Sequence, residues 1–419
     1  MADRPALFEN GRLNPGYLKL DLFCRGLRLA PDCDLGGRQG AKRVRAGLGS
    51  GLELRIEGAG GMTVNAPVLE PFAADSPYAL HGPDEQGLHA IRADGRVVAR
   101  VRLPEEPRFY ARMTSSGKPM GSVGTLQGTY LGVYYGMLCA NWKRPGEDAC
   151  RFCAVGTHVG EGDERTDKSP ADVVETALAA ASERGITFVH LNGGFDDSGA
   201  YIERFAPVVE QLRRETGLLV GVQIPPLTDF ADYQRLRDMG VNNLSLCFEL
   251  WDGERFREVC PGKSRRAGLE RYLEAIRHCA QDVGFDTTNG ELIAGLEAPE
   301  RSMQAIDWLT ETGAVPTVCV FRPLAGTAYA DRAPPETEAL VPVFAHLYRR
   351  CMQAGLPIGV APGLQVSIVL TPDECRWLLP PRERRGWRLR RLKHAALRRA
   401  LGSVVARRQR RAAAQRRVD

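Results

Sequence analysis

The sequence predicts an α/β protein: a partial (β/α)6 TIM-like barrel with a β-rich N-terminal region and a basic helical C-terminal tail. Three observations lead there. From about Gly124 onward, β-like apolar runs alternate with helical stretches of a dozen residues or more, and parallel strands in such a series need covering crossovers. No Gly-x-Gly-x-x-Gly fingerprint follows the first strand, which favours a barrel over a doubly wound sheet. Ahead of these units lie 16 of the chain's 45 glycines, within the first 120 residues, and behind them arginine dominates.

Within residues 1–120, Leu52–Ile56 leads through Gly58-Ala59-Gly60-Gly61 to Met62–Asn65, and His89–Arg92 passes through Ala93-Asp94-Gly95 into Val97–Leu103. Both read as hairpins. Barrel strands are expected at Tyr130–Leu138, Ile186–Leu191, Leu218–Ile224, Asn243–Phe248, Glu291–Gly295 and Val315–Phe321. Helical spacing or composition marks Pro170–Arg184, Ala200–Thr216, Asp229–Met239, Arg266–Val283 and Glu300–Thr312 between them. The expected divisions are 1–120, β-rich; 121–333, the barrel; 334–381, a helix and strand closing it; and 382–419, the Arg-rich tail.

With 419 residues, 43% hydrophobic and 26% charged, the chain has the composition of a globular protein, which excludes wholly disordered and fibrous classes. No apolar run reaches the roughly 18 residues of a membrane span. Met1–Gly16 lacks the apolar core of a secretory signal, so the expected compartment is cytoplasmic. Eleven cysteines, an odd number in a chain too long to need staples, argue against a disulfide framework and direct attention to metal or redox chemistry. The net charge of +5 is uneven: residues 382–419 hold 15 Lys and Arg against two acids, or +13, which leaves the rest at −8.

Cys139, Cys150 and Cys153 form a C-x10-C-x2-C set after the first barrel strand. Two thiolates three residues apart can grip one metal centre from a tight turn, and the long spacer lets the third close from the other side. The residues alone leave three readings: unrelated buried thiols, a zinc site with His158 as fourth ligand, or an iron–sulfur cluster. Three cysteines on a four-iron cluster leave one iron without a protein ligand, and such an open site is where a cofactor or substrate binds.

A three-cysteine set with a C-x-aromatic-C end, after the first strand of a partial barrel, resembles the radical S-adenosylmethionine (SAM) superfamily, and the barrel section resembles biotin synthase. The superfamily's usual spacing is C-x3-C-x2-C, from which the ten-residue spacer departs. The resemblance implies a [4Fe-4S] cluster on Cys139, Cys150 and Cys153, with SAM at its open iron. Reductive cleavage of SAM would give methionine and a 5'-deoxyadenosyl radical that takes hydrogen from a small-molecule substrate. It also implies cofactor-binding positions at strand ends, where barrel sites assemble. Phe152 would lie beside the adenine, and Gly193 and Gly194, ending the second strand, would receive the SAM amino group. Glu249, ending the fourth in LSLCFELWD, would hold the ribose hydroxyls. Gly295, ending the fifth in ELIAGLEAPE, and Arg322, ending the sixth in VFRPLAGT, complete the set. Two positions depart from the family: Phe195, followed by Asp196 and Asp197, stands where it puts Glu, and Glu291 stands for a Gly. The strings SPYAL, PRFYARMTSSGKP, VQIPP, CPGKS and PLAGT, across roughly residues 76–330, are similar to a little-characterised radical SAM family encoded beside nitrilases in bacteria.

Lys263, in CPGKS, reads as a solvated lysine or as a partner for a carboxylate of cofactor or substrate, and the eight remaining cysteines as buried thiols or as ligands of a second cluster. In the tail, Leu389, Leu392, Ala396, Ala400 and Val404 fall on one helical stripe among arginines. Such a segment serves RNA, an anionic membrane or an acidic partner, and beyond Arg407 a solvated, disordered end is equally open. The alternative function is therefore a zinc-stabilised nucleic-acid-binding protein. A radical enzyme instead needs a reductant such as flavodoxin or ferredoxin, which are acidic, and the +13 tail would steer one in.

Overall fold

A computed structural model describes residues 5–36, 51–162 and 164–416. Six parallel strands form the barrel sheet: β1 (Leu131–Tyr134), β2 (Phe188–Asn192), β3 (Leu219–Gln223), β4 (Asn243–Glu249), β5 (Thr287–Ala294) and β6 (Val315–Val320). They lie side by side in chain order, and the short strand Thr125–Leu126 adds antiparallel to β1. The sheet curls into a half-barrel. Helices α1 (Pro170–Arg184), α2 (Tyr201–Thr216), α3 (Ala231–Met239), α4 (Gly268–His278) and α5 (Pro299–Thr312) return the chain between strands. All five stand where the sequence spacing puts them, with α4 continued by a π turn at Cys279–Val283.

The period-two alternation of β4 separates two environments. Leu244, Leu246 and Phe248 are fully buried. On the opposite face, Asn243 donates to Thr287 O at 3.2 Å and also bonds Asn289, while Ser245 donates to Glu291 of β5. That second face is a polar seam. Outside the sheet, α2 buries Ile202, Phe205, Val208, Val209 and Leu212 at i, i+3, i+4 spacing, and each such side chain contributes about 1.5–3 kcal/mol.

Helix α1 starts where its sequence says. Ser169 caps it in a capping box with Asp172, and Pro170 occupies its first turn. Asp172, whose side chain is 1% exposed, also accepts from Thr114 Oγ1 at 2.7 Å and Lys118 Nζ at 2.8 Å. Burial opposes ionisation there, but Lys118, Ser116 and the Ser169 amide outweigh it and hold the carboxyl well below the ordinary range. The stability it supplies is therefore complete above the ordinary aspartate pKa of about 3.9 and is lost as pH falls through the lower folded value. Asp172→Asn is expected to cost about 1.5–3 kcal/mol at neutral pH, the scale of a hydrogen bond to a charged group. Urea unfolding at pH 7 and pH 3 measures this; an equal loss at both would contradict it.

In the N-terminal region a six-stranded sheet contains both expected hairpins, Leu52–Ile56 with Thr63–Ala66 and His89–Ala93 with Arg96–Arg102. The β-only reading of this region needs one correction: Pro15–Arg25 is a helix. Its start and stop were present as Asn14, which caps the Tyr17 amide, Pro15 in the first turn, and Gly26 at φ +69°. The surrounding glycine-rich composition obscured them.

Beyond β6, helix α6 (Thr337–Gln353) forms as expected. The expected strand in 354–381 does not, because Pro357, Gly359, Pro362 and Gly363 interrupt the run. What remains is an isolated bridge between Val366 and Gly128, followed by a 3-10 turn at Glu374–Leu378. The tail is helix α7 (Arg388–Gln415), so the disordered reading beyond Arg407 is replaced by helix through Gln415. The expected apolar stripe faces outward, with Leu389 81%, Leu392 58% and Val404 42% exposed. The helix seats instead through Val405 and Ala412, because Gly217 lets its backbone come close: a Cβ at Gly217 would stand 2.7 Å from Arg408 C. Gln409 Nε2 donates to Ile186 O and Arg398 Nε to Gly359 O. Ile186 and Gly217 precede β2 and β3, so α7 lies at the N-terminal ends of the strands. Among the described residues no helix is long and apolar enough to cross a membrane.

Candidate active site at the cysteine loop

The loop after β1 is held by backbone bonds to three other strand-end loops. Tyr135 N donates to Asn192 O at 2.7 Å, which extends the β1–β2 pairing, and Ala140 N donates to Phe195 O at 2.7 Å. Arg151 N donates to Val259 O at 2.9 Å, Gly262 N to Asp148 O at 3.0 Å, and Tyr329 N to Arg151 O at 3.0 Å. Thus the loops after β2, β4 and β6 converge on the cysteine loop. Ion pairs add to this clamp, since Asp197 joins Lys143 of the cysteine loop to Arg266, and Asp148 joins Arg144 to Arg265. Asp196, the other acid after Gly194, pairs with Arg204 of α2.

Two glycines make the approach feasible. A Cβ at Gly194 would stand 2.5 Å from Cys139 Cβ and 3.0 Å from its Sγ, and one at Gly262 would stand 2.4 Å from Asp148 O. Neither position has room for a side chain. Gly193, by contrast, is shaped by α2, where its Cβ would stand 3.0 Å from Phe205 Cζ.

Cys150 and Phe152 are buried, and Cys139 and Cys153 half-buried. A tight turn, with Cys153 N on Cys150 O at 3.1 Å, brings the pair together. Burial raises the Cys139 thiol, and it pushes Cys153 up to about 12, with Cys150 the next contributor. Cys150 is raised first by its bond to the Cys260 thiol and then by burial. All eleven cysteines are free thiols. Among the described residues no three His, Cys, Asp or Glu side chains converge on one ion position.

Glu249 ends β4 beside a bulge, in the left-handed region at φ +68°. A non-glycine residue there is strained and held by its surroundings. The holder is Lys263, whose Nζ lies 2.5 Å from Glu249 Oε1 and 2.7 Å from Cys247 O. Reading Lys263 as solvated is thereby corrected: its side chain is 13% exposed, and its ammonium lies 5.5 Å from the centre of the Tyr272 ring. Burial pulls its pKa down, yet the Glu249 charge outweighs this and raises it. Sequence reasoning missed this because the partners are 14 residues apart in separate elements. Cys260 was likewise read as an unremarked buried thiol, and only the fold brings it to Cys150.

Glu291 is half-buried on β5 and bonded to Ser245; desolvation raises its carboxyl, with neighbouring Glu249 adding to the effect. Gly295 ends β5 at φ +99°, where a Cβ would stand 2.8 Å from Pro335. Arg322, buried after β6, donates to Asn65 O at 3.2 Å and sits 4.7 Å from the Phe23 ring centre, so its described contacts reach the N-terminal region. The fold therefore gathers Cys139, Cys150, Phe152, Cys153, Gly194 and Glu249 at one end of the strands. It sets Gly295 against Pro335 and Arg322 against the N-terminal region.

A half-barrel with a braced cluster of thiols at the C-terminal ends of its strands defines a barrel enzyme with its chemistry at that rim. Residues 147–322 match the family described as the Radical SAM superfamily, so the chain carries a radical SAM domain there and is an enzyme. Enzymes of that superfamily use a [4Fe-4S] cluster and SAM. The chain is 26% identical over 306 residues to a bacteriochlorophyllide c C-7(1)-hydroxylase from Chlorobaculum limnaeum, covering 67% of this chain and 74% of that one. Among solved structures it is similar to methylornithine synthase, with 18% identity and a TM-score of 0.41 over 53% of this chain and 62% of that one. It thus spans less than two thirds of the synthase. A radical SAM methyltransferase from Sphaerobacter thermophilus gives 15% identity and a TM-score of 0.42 over 65% and 75% of the two chains.

Proposed function

We propose that this enzyme holds a [4Fe-4S] cluster on Cys139, Cys150 and Cys153, cleaves SAM reductively there, and uses the radical on a small-molecule substrate, with a flavodoxin or ferredoxin as reductant. The observation that carries the reading is the contact between Gly194 and Cys139: the glycine ending β2 lies directly against the first cysteine, where any side chain would displace it. The thiols also fit the group. Burial raises Cys139 and Cys153, with the nearby Cys150 adding to both, and a bound metal reverses the cost of ionising them. The buried Trp142 indole N–H has no well-formed hydrogen bond and acts on Cys153, a donor suited to a cluster sulfur.

When bound, the cluster and SAM together supply a 5'-deoxyadenosyl radical. The chain's own residues do the positioning. Glu249 offers a fixed carboxylate to the ribose hydroxyls, and Lys263 occupies only part of its acceptor capacity. Phe152 would cover the adenine, and the backbone at Gly193 and Gly194 would meet the amino group. Of the polar seam, Glu291 and its partner Ser245 lie nearer the Glu249 end and would face the substrate, while burial keeps water from the reacting atoms.

Anaerobic reconstitution with iron, sulfide, dithionite and SAM should release 5'-deoxyadenosine; none released from iron-replete protein would overturn the reading. Glu249→Gln keeps an acceptor for Lys263 but loses the charge. It is expected to retain the iron and weaken SAM binding by about 1.5–3 kcal/mol, or roughly tenfold to a hundredfold. An unchanged Kd by calorimetry would move the ribose contact elsewhere.

A further inference from the structure

At the opposite end of the barrel, α7 closes a cleft of about 450 Å³ against α2, lined by Arg213, Arg214, Arg408 and Arg411 with Glu210 as the only acid. A second cleft of about 340 Å³ adjoins it and shares Arg213 and Arg408, with Asp238 and Asp286 on its far wall. Arg214 is paired with Glu215 at 2.8 Å. Among the described residues no carboxylate lies within ion-pair distance of Arg213, Arg408 or Arg411.

Packing alone does not ask for this. Helix α7 is seated by Val405, Ala412 and the Gly217 contact, and that seating brings Arg408, half-buried, up to Arg213. Burial and the neighbouring Arg213 charge pull the Arg408 guanidinium down, and Asp286 across the adjoining cleft offsets only part of this. The last-turn carbonyls of α2 soften this for Arg213. They do not account for Arg408 and Arg411, which come from a different helix. An anion between the two helices would turn the repulsion into charge-assisted, forked hydrogen bonds.

We propose that this cleft binds the phosphate group of a small soluble ligand, a phosphomonoester or polyphosphate, between Arg213 of α2 and Arg408 and Arg411 of α7. Arginines from two helices that meet around one small, open cleft suit a compact ligand. A nucleic acid or membrane would draw equally on the exposed arginines nearer the start of α7, such as Arg388, which lie outside the cleft. The placement also bears on the tail's expected role in steering a reductant. Strands of four to eight residues, at about 3.3 Å each, separate this end from the cysteine loop. A carrier held here would sit on the wrong side of the barrel.

The test is calorimetric titration of the full chain with pyrophosphate at fixed ionic strength, using Arg408→Ala, Arg411→Ala and the equal-charge control Arg388→Ala. The expected result is saturable binding, weakened about tenfold or more by either cleft variant and less than about twofold by Arg388→Ala. Arg411 is exposed, so its variant reads the site even if Arg408→Ala folds poorly. Three results would overturn the proposal: no binding, equal weakening by all three variants, or tighter binding of an RNA oligomer or of anionic vesicles with the same sensitivity to Arg388→Ala.

Discussion

Replacing Cys139, Cys150 and Cys153 together by alanine is expected to remove the brown colour and essentially all the iron from anaerobically purified protein. The three thiols lie on one loop whose backbone is bonded to the loops after β2, β4 and β6, so deleting them leaves the brace intact. The fold should survive while the metal is lost. Far-UV circular dichroism and urea unfolding check the first half of that statement, and iron per chain checks the second. Cys247→Ala, Cys319→Ala and Cys375→Ala, which alter thiols outside the loop, should leave the iron unchanged. If the triple variant keeps its iron, the cluster is held elsewhere and the assignment is wrong. Cys260→Ala tests the neighbouring thiol: it should keep most of the iron, because Cys260 touches the centre only through Cys150.

The second large effect is expected at Lys263. Its ammonium and the Glu249 carboxylate are both nearly out of water, with side chains 13% and 11% exposed and a separation of 2.5 Å. Breaking such a pair by removing one partner costs about 3–5 kcal/mol, because the remaining charge is buried without compensation. Lys263→Met should therefore destabilise the chain by that amount, and its penalty should be partly relieved in Lys263→Met/Glu249→Gln, where no bare carboxylate remains. The double-mutant cycle by denaturant unfolding isolates the coupling. Strictly additive losses would mean that the two groups do not depend on each other. Lys263→Met should also weaken SAM binding, since Lys263 holds the Glu249 carboxylate in place. This second readout separates a positioning role from a purely structural one.

Much of the barrel was legible in the sequence because its signals are local. Strand and helix periods are set by neighbouring residues, and Ser169-Pro170 announces α1 from within a single turn. The cysteine loop stood out for the same reason, since two of its three cysteines lie three residues apart. Other features were hidden. The helix Pro15–Arg25 carried its caps in plain view, but the glycine-rich surroundings outweighed them. The strand expected after α6 failed because two prolines and two glycines fall inside eight residues. The apolar stripe of α7 was legible as a periodicity, but which face of the helix seats on the barrel was not. Periodicity fixes which residues share a face, and only the neighbour at Gly217 decides which face is covered.

The sequence by itself determined the barrel's order of units, the three cysteines, the glycine and acidic residues at the strand ends, and the concentration of charge in the tail. Tertiary structure decided what those residues touch. It set Gly194 against Cys139, brought Lys263 out of solvent onto Glu249, sent Arg322 to Asn65 and Phe23, and laid the arginines of α7 beside Arg213 at the end away from the cysteines. The physical reason is one of range. Propensity, capping and ligand spacing act over a few residues along the chain. Burial and ion pairing depend on distances in space between segments that lie 14 residues apart at Glu249 and Lys263, and 195 apart at Arg213 and Arg408.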